Sequence, residues 1–291
     1  MNAAPFRRCG LVVKADARGA PTTLKAVLDC LQARGTPVVT DLDTQAAFTL
    51  DLPAVSLADF GEHCDLMIVV GGDGTLLRAS RRVIADGLPV LGINLGRLGF
   101  MVDIAPDAAA ATLHEVLDGA YVEERRGVLE AFRDEESLGL AINDVVLRHP
   151  EPVSMLEFAT TTDARFISHH RADGLIIATP TGSTAYALSA GGPMLHPASD
   201  SVALVPICPH TLSDRPLILP ASAQIEVRIA GRDGRGAMAT LDGHSTVAIA
   251  PGGLVQVRPA TTPLRLIHPA GYDWYAILRG KLNWGRDKPA E

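Results

Sequence analysis

The sequence predicts an α/β N-terminal domain of the doubly wound kind followed by a mostly β C-terminal domain. Three observations carry this reading. Up to Leu117, short apolar runs alternate with segments of helical periodicity, the βαβ order of a parallel sheet. The run Leu66–Val70 is apolar without a break, as a strand covered on both faces must be. From Tyr121 onward, short strand-like runs follow one another, punctuated by Gly and Pro.

Taken in order, Leu11–Lys14 reads as a buried strand. Pro21 opens a helix with Leu24, Val27, Leu28 and Leu31 on one face. Gly35 stops it, and Pro37–Thr40 is the next strand. After Leu66–Val70 comes a glycine-rich turn, then a helix with Leu76, Leu77, Val83 and Ile84 on one side. Leu88–Asn94 is a further strand, and Ala108–Leu117 the last helix of this half. The second half is expected to form strands at Gly127–Phe132, Leu140–Arg148, Met155–Thr161, Gly174–Thr179, Val202–Pro206, Gln224–Ile229, Val247–Ile249, Leu254–Arg258 and Leu264–Ile267. The tail from Tyr272 to Trp284 carries Trp274, Ile277, Leu278 and Leu282 at helical spacing and is expected to pack back on the first domain; the closing RDKPAE is expected to fray. The division expected is residues 1–121 joined by 270–291, with 122–269 as the β domain.

The 291 residues leave ample length for buried cores. Hydrophobic residues make up 47%, yet no run approaches the roughly 18 apolar residues that span a bilayer. The opening MNAAPFRRCGLVVKAD has two arginines but no apolar stretch of signal-peptide length, so the chain is expected in the cytoplasm, away from membranes. A formal charge of −7 without basic clusters disfavours nucleic acid as a partner. Cys9, Cys30, Cys64 and Cys208 lie far apart and form no C-x-x-C pair, which reads as free thiols.

Two motifs carry chemistry. In DLMIVVGGDGTLL, Gly71-Gly72-Asp73-Gly74-Thr75 sits between a buried strand and a helix. Glycines there let a ligand approach the backbone, and the helix N-terminus offers N–H groups to phosphate. A carboxylate is out of place in a pure phosphate cradle. Asp73 is therefore expected to accept a proton or hold a metal, as well as to cap the helix. The second motif is Arg171–Pro193, RADGLIIATPTGSTAYALSAGGP. Thr181, Ser183 and Thr184 are short hydroxyls able to hydrogen-bond a ligand, Tyr186 offers a flat face to a ring, and Gly191-Gly192 let backbone pass close.

The GGDGT pentapeptide resembles a kinase superfamily that includes NAD kinases, diacylglycerol and sphingosine kinases, and phosphofructokinases. The Arg171–Pro193 stretch closely resembles the NAD kinase signature. With Asn143-Asp144 and HTLSDRP at His210–Pro216, the resemblance covers nearly the whole chain. It implies transfer of the γ-phosphate of ATP to the 2′-hydroxyl of the adenosine ribose of NAD. It further implies that Asp73 activates that hydroxyl, that Mg²⁺ or another divalent cation comes with ATP, and that the enzyme is a homodimer or homotetramer. On the NAD side the matched positions are Asp73, Gly74, Phe100, Asn143, Asp144, Arg171, Asp173, Thr184, Ala185, Tyr186, Ser189 and His210. Some of these, Asp173 especially, act across a subunit contact in the family. On the ATP side they are Gly71, Gly72 and Thr75. Arg171-Ala172-Asp173-Gly174 resembles the Gram-negative subgroup, which takes NAD rather than NADH. The late motif departs from the family in reading Leu241-Asp242-Gly243-His244. No phosphate loop of the form G-x-x-x-x-G-K-[ST] occurs, so there is no lysine of that kind. A lipid kinase would lack the TPTGSTAY stretch, and a sensor without activity has no need of Asp73.

No residue set is expected to hold a resident metal. His169-His170 are strand neighbours that point to opposite faces. Asp41 and Asp43 read as loop carboxylates, Asp134–Glu136 as a solvated charge run, and Trp274 and Trp284 as packing anchors.

Overall fold

A computed structural model describes residues 6–96, 99–151, 154–211, 213–231 and 234–283. They fall into two compact units: Met1–Arg125 with Leu264–Glu291, and Arg126–Pro263. The first begins with β1 (Cys9–Val13), α1 (Ala20–Ala33), β2 (Val38–Asp41), α2 (Leu42–Phe48), β3 (Ala54–Val55) and the single turn α3 (Phe60–His63). It continues through β4 (Leu66–Gly71), α4 (Asp73–Val83), β5 (Val90–Asn94), α5 (Ala109–Leu117) and β6 (Tyr121–Arg126). Every residue of β1, β4 and β5 is buried. Helices cover both faces of such strands, which is why they show no polar alternation. Pro21 lies in the first turn of α1, and Leu24, Val27, Cys30 and Leu31 bury its inner stripe.

The second unit runs through β7 (Leu129–Arg133), β8 (Glu136–Ala141), β9 (Asp144–Arg148), β10 (Leu156–Thr162), β11 (Arg165–Ala172), β12 (Gly174–Ala178) and α6 (Tyr186–Ser189). Then come β13 (Ser201–Ile207), β14 (Leu217–Pro220), β15 (Ile225–Ile229), β16 (Ala237–Leu241), β17 (Ser245–Ile249) and β18 (Leu254–Pro259). They form two six-stranded sheets, ordered β11-β10-β15-β18-β7-β8 and β14-β13-β12-β9-β16-β17. Leu129, Phe158 and Val227 from one sheet and Val145, Leu175 and Leu204 from the other share one core. The chain then returns to the first unit with β19 (Leu264–Pro269) and α7 (Trp274–Leu282). β19 pairs in parallel with β5, Leu266 opposite Val90, and completes the order β3-β2-β1-β4-β5-β19-β6.

The structure corrects several expectations. The run Leu140–Arg148 is not one strand. It breaks at Ile142-Asn143, and β8 and β9 enter different sheets. Strands β11 and β16 escape the hydrophobic pattern because polar or small residues fill most of their positions, whereas β14, Leu217–Pro220, is apolar but only four residues long and ends on proline. Asp41 is no loop carboxylate: it is buried, and its side chain caps α2 by accepting the Thr44 N–H. The units divide at 125/126 and 263/264, because β6 and β19 hydrogen-bond into the first sheet. Residues 134–136 are exposed at the β7–β8 turn, where Asp134 and Glu135 take positive φ. Trp274 is buried, whereas Trp284 and the closing RDKPAE lie outside the described residues. His170 stacks on Phe158 and meets Asp214 at 3.2 Å, while His169 is exposed beside Phe166. No helix among the described residues is long and apolar enough to cross a membrane.

Candidate active site

In the first unit, the C-terminal ends of the adjacent strands β4 and β5 carry the site, with Gly71 opposite Asn94. That end of a parallel sheet is where open α/β folds bind ligands. Gly72, in extended conformation, is the N-cap of α4, so Asp73 is its first helical residue and not the cap expected from sequence. Its carboxylate turns to the segment after β5. Oδ2 accepts the Phe100 N–H at 2.9 Å, and Oδ1 accepts those of Met101 and Val102 at 3.1 and 3.2 Å. The segment can come this close only because residue 99 is glycine: a Cβ there would stand 2.0 Å from Asp73 Oδ1. Oδ2 holds one backbone bond where Oδ1 holds two, and the Lys281 ammonium of α7 lies 3.7 Å from it. Oδ2 thus keeps lone-pair capacity for a further hydroxyl. Thr75 is buried against Gly71, while Gly74 is exposed.

The same segment is anchored behind the site. Asp103 Oδ2 is 3.0 Å from Nδ1 of the fully buried His268 at the end of β19. Glu124 lies 3.3 Å from the other ring nitrogen, and the Tyr272 ring stacks on the imidazole. Burial alone pulls the His268 pKa down, but hydrogen bonding and charge from Asp103 and Glu124 more than offset it and hold it above the ordinary histidine value.

In the second unit, the Ile142-Asn143 break between β8 and β9 is held by Asp242. Its carboxylate accepts the N–H groups of Ile142, Asn143 and Asp144 at 3.0, 2.7 and 3.2 Å. From the other side Thr179 donates its hydroxyl to the Ile142 carbonyl at 2.6 Å and its N–H to that of Asn143 at 2.9 Å. The turn at Gly182 packs so tightly that a Cβ there would lie 2.1 Å from the Asn143 oxygen. Asp144 is buried beside Asp242. Desolvation first, then the charge of Asp242, raises its pKa from 3.8 to about 7.

The hydroxyls of the TPTGSTAY stretch are largely spent internally. Ser183 donates to Pro180 and accepts from the Leu195 N–H, Thr181 accepts from Arg126, and Thr184 donates to Thr181. Around this frame Thr184 and Ala185 are partly exposed, and Tyr186 and Ser189 are exposed. Arg171, Asp173 and His210 are exposed at the β11–β12 corner, where the His210 N–H donates to the Arg171 carbonyl. Arg171 faces Glu157 at 3.6 Å and not Asp173. His244 donates from Nδ1 to the Asp242 carbonyl at 2.7 Å. Arg97 and Leu98 of the NLGRLGF motif and Leu212 of HTLSDRP lie outside the described residues.

Sequence reasoning met Asp242 only as part of the departing late motif and gave no role to it, to Thr179 or to Lys281. For Asp242 the signal was Asp-Gly after a strand-like run, a turn whose aspartate takes φ 47°. Among the described residues no group of three or more His, Cys, Asp or Glu could hold a metal. A divalent ion carried by substrate phosphates, keeping waters and needing one carboxylate, fits that donor set.

Two family models match the chain: the ATP-NAD kinase N-terminal domain over residues 9–121 and the C-terminal domain over 142–269. An NAD kinase of Nitrosococcus oceani is 43% identical over 289 residues, covering 98% of this chain and 99% of that one. One of Coxiella burnetii is 44% identical over 286 residues, covering 96% and 95%. Among solved structures, yeast NADH kinase complexed with NADH superposes with a TM-score of 0.89 at 23% identity, covering 99% of this chain and 90% of that chain, and speaks to the fold. An NAD kinase from Archaeoglobus fulgidus in complex with ATP gives 0.76 at 25% identity, covering 95% and 98%.

The raised Asp144 pKa predicts how stability varies with pH. Between about 4 and 7 the folded state holds a proton that the unfolded chain has released, so the Asp144 contribution falls as pH rises through that window. Asp144→Asn removes the titration. In urea unfolding, the variant is expected to gain on the wild type from pH 5 to pH 8. The gain is at most a few kcal/mol, since each tenfold change in a protonation equilibrium is worth about 1.4 kcal/mol. Parallel pH profiles would show that Asp144 titrates normally.

Proposed function

The chain belongs to the ATP-NAD kinase family, and from that premise we propose how its residues divide the transfer of the γ-phosphate of ATP to the 2′-hydroxyl of the adenosine ribose of NAD. One observation carries the assignment of the centre: Asp73 is a carboxylate fixed by three backbone N–H groups at the first turn of α4, with Oδ2 still able to accept. There it takes or orients the proton of the attacking hydroxyl. Gly71, Gly72 and Thr75 lie by the ATP phosphates, where the helix N-terminus favours negative charge. Mg²⁺ or another divalent cation, held by the ATP phosphates, would supply charge neutralisation there.

Asp73, Gly74 and Phe100 face the reacting ribose. Asn143 and Asp144 bind NAD from the strap that Asp242 holds, the Asp144 carboxyl being suited to ribose hydroxyls. In the second unit Thr184, Ala185, Tyr186 and Ser189, with Arg171, Asp173 and His210 at the β11–β12 corner, are the further positions that bind NAD. The enzyme works in the cytoplasm as a homodimer or homotetramer. Strand β11 is a sheet edge with Phe166 60% exposed, which suits a subunit contact beside Asp173.

Incubation with ATP, Mg²⁺ and NAD, read by an NADP-specific dehydrogenase, tests the activity. Asp73→Asn preserves the size of the side chain but not its basicity. Turnover is expected to fall by roughly 10²-fold or more, with NAD binding largely kept; near-normal turnover would remove Asp73 from the proton step.

Arg171 meets Glu157, so its influence on the choice between NAD and NADH must run through shape or that carboxylate, since a cation does not attract the cationic nicotinamide ring. Arg171→Gly is expected to raise phosphorylation of NADH while that of NAD persists. An unchanged ratio of kcat/KM for the two substrates would make Arg171 an ordinary surface residue.

The assembly is checked by light scattering at assay concentration, where a dimer or tetramer is expected. A fully active monomer would refute a site shared between subunits.

A further inference from the structure

Along α7, Trp274, Ile277 and Leu278 are buried and seat the helix. The next position on that face, four residues after Ile277 and three after Leu278, is Lys281. An apolar residue would continue the stripe. Lysine breaks it, with its side chain 29% exposed and its ammonium carried to the site. Nζ lies 3.7 Å from Asp73 Oδ2 and 5.1 Å from the centre of the Phe100 ring. Phe100 also donates its backbone N–H to the same Oδ2, so carboxylate, ring and ammonium form one cluster. The chain holds four lysines, Lys14, Lys25, Lys281 and Lys288, while arginine supplies the rest of its 26 basic side chains. One of those few stands at the carboxylate of the glycine turn, in a chain that has no phosphate-loop lysine.

We propose that Lys281 is a catalytic residue whose ammonium stabilises the charge on the γ-phosphoryl group while it passes to the 2′-hydroxyl beside Asp73. The inference rests on the kinase reading above. In that step the 2′-oxygen forms a bond to Pγ and its proton goes to Asp73. The bond from Pγ to the bridging oxygen breaks, and its electron pair leaves on ADP. Lys281 keeps its protons throughout. A carboxylate and a transferring phosphoryl group are both anionic and must come within a few ångströms of each other. A cation held between them offsets that repulsion, and a point charge on a flexible stem can follow the moving group. Its contact with Asp73 keeps the ammonium at the place where negative charge will develop.

The test compares Lys281→Met, which keeps the length of the stem without its charge, with Lys281→Arg. For K281M, kcat for NADP formation is expected to fall by about 10²-fold, the scale of losing one transition-state donor. KM for NAD and the thermal midpoint should stay close to wild type. K281R should recover much of the loss, and added propylammonium should partly restore turnover in K281A. If K281M turns over within about threefold of wild type, or changes only KM, Lys281 does not act on the phosphoryl group. The same holds if K281M and K281R lose activity equally with a lowered midpoint, since the lysine then merely seats α7. A wild-type chain that makes no NADP would overturn the kinase reading itself, and this inference with it.

Discussion

Three consecutive backbone N–H groups, those of Phe100, Met101 and Val102, converge on the carboxylate of Asp73, and the first site hangs on that convergence. Hydrogen bonds to a charged acceptor contribute about 1.5–3 kcal/mol each, well above neutral ones. They tie the end of β4 to the segment after β5 through a side chain, where the sheet's own ladder has run out. The second unit repeats the device with Asp242 and the amides of Ile142, Asn143 and Asp144. In each unit an aspartate beside glycine shapes a strap of irregular backbone.

Such straps demand close approach. At Gly99 and Gly182 a Cβ would stand 2.0 Å from Asp73 Oδ1 and 2.1 Å from the Asn143 oxygen, so both motif glycines are required by contact and not by turn geometry. The hydroxyls of Thr179 and Ser183 tie backbone to backbone in the same way. Much of what reads as ligand-binding polarity in the TPTGSTAY stretch is therefore scaffold. The residues left to face outward are Tyr186, Ser189 and their partly exposed neighbours.

Charge is handled differently at the two places. Around Asp73, backbone dipoles and Lys281 meet one carboxylate. Around Asp144, burial and a second carboxylate work against ionisation, and the group titrates near neutral pH, where it can accept from or donate to a ligand. Behind the first site His268 binds two carboxylates in a buried cluster, so that the Asp73 segment is fixed at both ends. Buried pairs of this kind cost desolvation, and they lock geometry only while every partner is present.

Much of this was legible in the chain itself. Unbroken apolar runs at Leu66–Val70 and the periodic stripe of α1 specify a parallel sheet with helices, because strand period and helix period are written in which residues must avoid water. The motifs at Gly71–Thr75 and Arg171–Pro193 stood out as candidate segments, since glycine, short hydroxyls and a misplaced carboxylate are chemical statements in themselves. What the sequence did not show depends on long-range pairing. The break at Ile142-Asn143 exists because Asp242, far along the chain, takes three N–H groups from a run that otherwise reads as one strand. Strand β19 belongs to the first sheet because of its parallel register with β5. Lys281, a polar interruption in a terminal helix by its sequence, becomes part of the site only because folding brings α7 to Asp73: periodicity says which side chains turn inward, but only the tertiary structure decides what they meet there.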